Sequence, residues 1–501
     1  MSRREPLQQN STGGEPITFA STKMRLHVLA AALAGLALRA FFILQFPVTD
    51  SGDAPFYIQL AWNWLKHHVY GFPVHGALTP VDMRVPGYPA FVAAVFAFAG
   101  QSPRAVMFAQ ALVDLATCFL IAFIAARIAP AAHRRRAFLA ALWLAVLCPF
   151  TANYTAVVIT ETVVIFLTAL AILILLGTEV GVGETRESGF LSSRWFLAGL
   201  IVGFGTLVRP ETPLVLFAAG LVLLAKWWRR RDWRRLLRAN ALMAVGLVLP
   251  LLPWAARNWT TLHEVQFLAP RHGETPGEIA PLGFIKWTNT WLWKFGDVYL
   301  THWKLDSDSI NMDDLPASAF DSPQERARVA QLLDEYNKKD ELTPAIDARF
   351  GKIGRERTAR DPLRTYVKIP FLRCLTLWFS PRIELLPVSG DLWPAGDAWE
   401  NDRTDFLTTL TMVVANAFCV ALGLAGLWIV RRRPWCFFLV LFIVVRTVFF
   451  AFAVETPEPR YVLECFPALI ALAAQVFTRG VSSLRAAPDE LSRGKFAESA
   501  P

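Results

Sequence analysis

Runs of about 20 apolar residues recur along this chain of 501 residues, each long enough as a helix to cross about 30 Å of hydrocarbon. Inside a bilayer the backbone must satisfy its own hydrogen bonds, which leaves helices and closed barrels. Continuous apolar runs of this length read as membrane-crossing helices. A hydrophobic fraction of 54%, with 37 Phe and 18 Trp, excludes an ordinary water-soluble domain. The formal charge of +9 does not mark a nucleic-acid surface, because the basic residues cluster beside apolar segments, where they set topology. The strongest cluster, Lys226 to Arg238, reads as an anchor against anionic lipid.

The spacing predicts an all-α polytopic membrane protein of about ten spans. Leu26 to Phe46 is a retained first span, held by Arg3, Arg4, Lys23 and Arg25 with the N-terminus inside. Ala105–Ile128, Phe138–Phe150, Ala156–Leu176, Phe196–Val208, Leu214–Ala225 and Ala241–Trp254 follow, and then Phe406–Val430, Trp435–Val454 and Val462–Phe477. Val85 to Gly100 is apolar but short. Treating it as a re-entrant or surface helix puts Arg134, Arg135 and Arg136 on the cytoplasmic side. The expected organisation is a cytoplasmic tail (1–25), an N-terminal membrane module (26–256) with a first outer loop (47–104), an extracytoplasmic region (257–403), C-terminal spans (404–478) and a second tail (479–501).

Within the outer region, FIKWTNTWLWKF is aromatic enough to rest on the membrane surface. Ser322, Pro323 and Glu325 read as the capped start of a soluble helix, and Ile369 to Phe379 as an interfacial one. The six cysteines form neither a disulfide framework nor a CxxC pair and read as small buried hydrophobes. His67, His68 and His75 read as interfacial polar residues, and the acids Asp306, Asp308, Asp313 and Asp314 as solvated surface without the EF-hand pattern.

The stretch Pro47 to Pro89 carries more chemistry than a connection needs. Asp50 and Asp53 sit just past the first span, Tyr57 opens a Trp-rich amphipathic helix, and Arg84 precedes a PGYP turn. The predicted topology places this loop, the Arg209–Glu211 corner, the long region that begins at Arg257 and the Glu455–Arg460 corner on one face. A carboxylate there is suited to act as a general base. Arginines match the geometry of a departing phosphate.

These residues resemble the GT-C membrane glycosyltransferases, specifically bacterial relatives of protein O-mannosyltransferases and of the lipid A aminoarabinose transferase. The resemblance begins with Asp53-Ala-Pro-Phe-Tyr57 and Arg84-Val-Pro-Gly-Tyr88-Pro. It continues through Thr160-Glu161, Val208-Arg-Pro-Glu211, Pro253-Trp254 with Arg257-Asn258, and Pro459-Arg-Tyr461. It implies a polyprenyl-phosphate-linked sugar donor, an extracytoplasmic acceptor (glycolipid, polysaccharide or protein) and inverting transfer at the outer face of a bacterial inner membrane. Asp53 would be the base, with Asp50 its rival. Arg84, Arg460 and Arg257 would hold the donor phosphate, and Tyr57, Tyr88, Glu161, Arg209, Glu211 and Tyr461 would line the cavity. No cofactor is implied with certainty, and use of a divalent cation stays open. Ala54 and Phe56 stand where family members carry Glu and Arg, so substrate identity does not transfer.

Two other functions remain compatible with the sequence. A lipid-linked sugar transporter or flippase would need charges deep within its spans, where Asp114 and Arg446 are the main examples. A non-catalytic envelope assembly factor would depend on residues 257–403 rather than on Asp53.

Overall fold

A computed structural model describes residues 21–478 except 51, 75, 179, 181–188, 271–278, 306 and 340. His75, Asp306 and most of both expected tails therefore lie outside the described residues. All ten expected spans coincide with helices. Among the described residues, six helices of 19 to 30 residues are long and apolar enough to cross a membrane: Thr22–Gln45, Pro103–Ile128, Trp233–Leu262, Arg403–Val430, Trp435–Ala453 and Pro459–Thr478. Ala131–Val146 and Pro149–Ala156 form a pair bent by 46° that counts as a seventh if it is one span. Glu161–Leu175, Gly189–Thr206 and Leu214–Trp228 are the helices at the remaining expected spans. The expected surface segment is the helix Gly87–Ala99, whose 13 residues reach only about 20 Å, too short to cross unaided.

Backbone contacts fix the functional end of the bundle. As the chain leaves the first helix, Val48 donates to the Ala156 carbonyl (2.9 Å) and pairs in parallel with Val157, just ahead of Glu161. Gln110 donates to the carbonyls of Thr155 (3.2 Å) and Val157 (2.7 Å), pinning the same turn from a neighbouring span. Asp53 immediately precedes the helix Ala54–His67, with Pro55 in its first turn, where the missing N–H costs nothing. A two-stranded antiparallel hairpin follows, Gly71–Val74 with Ala77–Pro80, which the sequence reading did not anticipate. The loop after it brings Arg84 back towards Asp53. Gly87 donates to the Leu207 carbonyl at 2.6 Å, and a Cβ there would lie 2.5 Å from that oxygen, so only glycine permits this approach.

Residues 282–360 form a small helical unit with its own apolar core. Phe284, Trp287, Trp291 and Leu292 are buried there against Phe350 and Ile353. This corrects the reading of FIKWTNTWLWKF as a surface-resting segment: its Phe284, Trp287 and Trp291 rings fill an interior with the Pro344–Arg360 helix. The Asp347 carboxylate accepts from the N–H groups of Gly283 and Phe284 (2.8 Å each), satisfying the first helix's start. The cap expected at Ser322 is present, its hydroxyl accepting from Glu325 N (3.2 Å). The Glu325 carboxylate returns to Asp321 N (3.2 Å) and also pairs with the buried Arg357.

Candidate active site

The loop after the first helix, the start of Glu161–Leu175, the Arg209 corner and the Pro459 turn converge on a chain of ion pairs. Asp53 faces Arg84 (3.1 Å) and Arg460 (3.6 Å). Arg460 also faces Glu458 (2.5 Å) and Glu161 (3.8 Å). Glu161 binds Arg209 (2.7 Å), which faces Glu211 (3.6 Å) and Glu464 (4.0 Å), and Glu464 pairs with Arg446. The cluster thus joins five carboxylates to four guanidiniums, a formal net charge of −1. Each of the four guanidiniums already faces a carboxylate, so an arriving phosphate must compete for it.

Exposure is graded along the chain of pairs. Asp53 keeps 28% of its side chain accessible and Arg84 31%, whereas Glu161 is 1% exposed. The accessible end is therefore the part of the cluster within reach of a ligand, and the buried end braces it. Burial alone would raise the Asp53 pKa, but the guanidiniums of Arg460 and Arg84 outweigh it and hold the carboxyl below its ordinary value. Burial, with the Asp53 carboxylate nearby, pushes the Tyr57 phenol well up. Tyr57 meets Tyr88 edge to face at 4.9 Å, and the Tyr88 hydroxyl donates to Gln110 Oε1 (2.5 Å). Tyr461 donates to Glu458 (2.9 Å) and stacks on Phe450 at 4.5 Å.

Of the residues singled out from the sequence, Asp53, Arg84, Glu161, Arg209, Glu211 and Arg460 are joined by these pairs, and Tyr57, Tyr88 and Tyr461 pack around them. Two stand apart. Asp50 is exposed and forms no ion pair with the described residues. Arg257 donates to the carbonyls of Val81 and Tyr70 (2.9 Å each) and lies over the Trp254 ring, so it clamps the hairpin to the Trp233–Leu262 span. Glu458 and Glu464 join the cluster without having been singled out, although Glu458 lies in the noted Glu455–Arg460 corner. Tyr154 and Glu384, 230 positions apart, also meet here, the phenol donating at 2.6 Å. No local pattern announces that pair.

The deep charges are paired. Asp114 accepts from Arg39 Nε (2.9 Å) and Nη2 (2.5 Å), and Arg446 pairs with Glu464 while donating to the Tyr461 carbonyl (2.7 Å). Both read as internal braces between helices. Among the described residues no three His, Cys, Asp or Glu side chains gather as a metal site, and the cluster's carboxylates face guanidiniums instead.

Residues 83–254 match the family of dolichyl-phosphate-mannose-protein mannosyltransferases. The match takes in about a third of the chain. The matched segment contains Arg84, Glu161, Arg209 and Glu211, while Asp53 and Arg460 lie on either side of it. No curated protein matches the chain in sequence. Among solved structures, the chain is similar to the archaeal oligosaccharyltransferase AglB of Archaeoglobus fulgidus, in complex with an inhibitory peptide and a dolichol-phosphate. That match has 13% identity and a TM-score of 0.47, covering 90% of this chain and 50% of that one. It is also similar to ArnT of Cupriavidus metallidurans bound to undecaprenyl phosphate, at 13% identity and a TM-score of 0.41, covering 92% and 78% respectively. The chain spans about half the length of the archaeal enzyme.

Proposed function

We propose that this protein is a membrane glycosyltransferase that moves a sugar from a polyprenyl-phosphate donor to an acceptor on the extracytoplasmic side, with Asp53 as general base. The observation that carries the reading is the partly exposed Asp53 held between Arg84 and Arg460. In the resting state both guanidiniums weaken the carboxylate as a base. The donor phosphate, itself anionic, draws Arg84 and Arg460 onto its own oxygens, and Asp53 regains basicity as they leave. The acceptor heteroatom then attacks the anomeric carbon from the face opposite the phosphate and passes its proton to Asp53. The bond from that carbon to the phosphate oxygen breaks, its electron pair departs with the phosphate, and the arginines stabilise the growing charge. One displacement inverts the anomeric configuration. Glu161, itself bound by Arg209, holds Arg460 in place behind the site.

The reading is tested by comparing envelope glycans by mass spectrometry in a deletion strain complemented with wild type or with Asp53→Asn at matched membrane abundance. A glycan restored by wild type and not by Asp53→Asn supports the proposal. Full restoration by Asp53→Asn removes Asp53 as the base.

A further inference from the structure

Beside the ion-pair cluster lies a cavity of about 750 Å³ that the chemistry above does not use. It is enclosed by the Trp293–Tyr299 segment, the end of the Ile369–Phe379 helix and the loop 380–390. One wall belongs to the cluster. Pro459, the neighbour of Arg460, lines it, and Arg382 fixes the Pro459 carbonyl (2.8 Å) from the cavity side. Glu384, which receives the Tyr154 hydroxyl, faces the same space.

The opposite wall is apolar and continues out of the protein. Leu375 and Phe379 line the cavity yet are 39% and 58% exposed. They end a stripe of exposed side chains at four-residue spacing, Leu363, Val367, Phe371, Leu375 and Phe379, on one side of continuous helical backbone. The other side of that helix, with Ile369 and Leu377, is buried where it packs on the Arg403–Val430 and Trp435–Ala453 spans. Arg403–Val430 itself exposes Leu407, Leu410, Val414 and Phe418. An apolar stripe on a helix packed against spans is covered by hydrocarbon, so the cavity opens sideways into the bilayer, while its Pro459 wall adjoins the cluster.

The lining therefore asks for two chemistries at once. Trp293, Phe295 and Tyr299 offer ring faces suited to the C–H surface of a sugar, and the Glu384 carboxylate accepts from hydroxyls. The Leu375–Phe379 side suits an alkyl chain. A peptide crossing that side would leave backbone N–H and C=O groups unpaired against hydrocarbon.

Building on the glycosyltransferase reading, we propose that this cavity binds the acceptor and that the acceptor is an amphiphile, a hydroxyl-rich headgroup on an apolar chain resident in the outer leaflet. The test places photoreactive benzoylphenylalanine at Val388 in the cavity or, as control, at Phe418 on a span surface. Both are introduced into the full chain in its native membrane, and the adducts are identified by mass spectrometry. The expected result is a lipid with a hydroxyl-rich, phosphate-unlinked headgroup at Val388 that is missing from the Phe418 adducts. Four results overturn the proposal: a peptide at Val388, a polyprenyl phosphate (which assigns the cavity to the donor), the same phospholipids as at Phe418, or no adduct while Phe418 labels. The Asp53→Asn glycan comparison fails or succeeds independently. Loss of the catalytic base and loss of the acceptor assignment are therefore read from different data.

Discussion

Breaking the Arg39–Asp114 pair separates a structural brace from a transport relay. Arg39 is fully buried, donates twice to Asp114, and also reaches the carbonyls of Gly35 (2.8 Å) and Val146 (3.1 Å), so it ties three helices together. Removing one partner of such a buried pair costs about 3–5 kcal/mol, whereas replacing both with apolar residues of similar volume is often close to neutral. A stranded carboxylate is able to take up a proton, but a stranded guanidinium cannot lose one, so Asp114→Asn is the costlier single change. Arg39→Met combined with Asp114→Leu should recover most of the loss, giving a coupling energy of about 3 kcal/mol or more. The assay is unfolding of the purified protein in mixed micelles titrated with a denaturing detergent, with wild type, both single variants and the double variant compared. Folded double variant should also retain the glycan phenotype. The reasoning is refuted if the single costs simply add, or if the double variant is as stable as wild type yet inactive, the outcome a charge relay requires.

Other predictions follow from the cluster and its supports. Asp53→Asn should lower transfer by about 10²- to 10⁴-fold at unchanged membrane abundance, the usual contribution of a general base, measured by glycan mass spectrometry over a time course. Because its pKa is depressed, Asp53 contributes stability at neutral pH that is lost as pH falls through its folded value. Arg84→Gln removes one cause of that depression, so acid unfolding should begin at higher pH than in wild type; an unchanged acid transition counts against the pairing. Gly87→Val should cut both abundance and activity, because its side chain meets the Leu207 carbonyl. Abundance of that variant on quantitative immunoblots equal to wild type speaks against the close approach. Ser322→Ala should cost about 0.5–2 kcal/mol by loss of the cap, seen as faster proteolysis near residues 323–339.

The spans were legible because hydrocarbon imposes one rule, length with apolarity, and each expected segment coincides with a helix. The acid–arginine chemistry of the first loop was legible as a local motif, since Asp53 and Arg84 stand 31 positions apart on one connection. Other features depend on distant partners. Phe284, Trp287 and Trp291 look the same in sequence whether they face lipid headgroups or a protein interior, and only the Pro344–Arg360 helix decides between them. Arg257 and Arg460 both end apolar segments, yet one finds backbone carbonyls and the other a set of carboxylates. The hairpin escaped notice because its strands are four residues long and carry Pro73 and Pro80, which weaken any strand signal.

The first loop meets the Arg209 corner and the Ala156 turn through main-chain bonds, Gly87 to Leu207 and Val48 to Ala156. A scaffold registered by peptide groups is indifferent to most of the side chains it displays, apart from Gly87 and supports such as Gln110 and Arg257. Related chains are therefore free to exchange acids, arginines and aromatics around Asp53 without rebuilding the frame. Changes of sugar or acceptor would then be a matter of substitution at fixed addresses rather than of refolding.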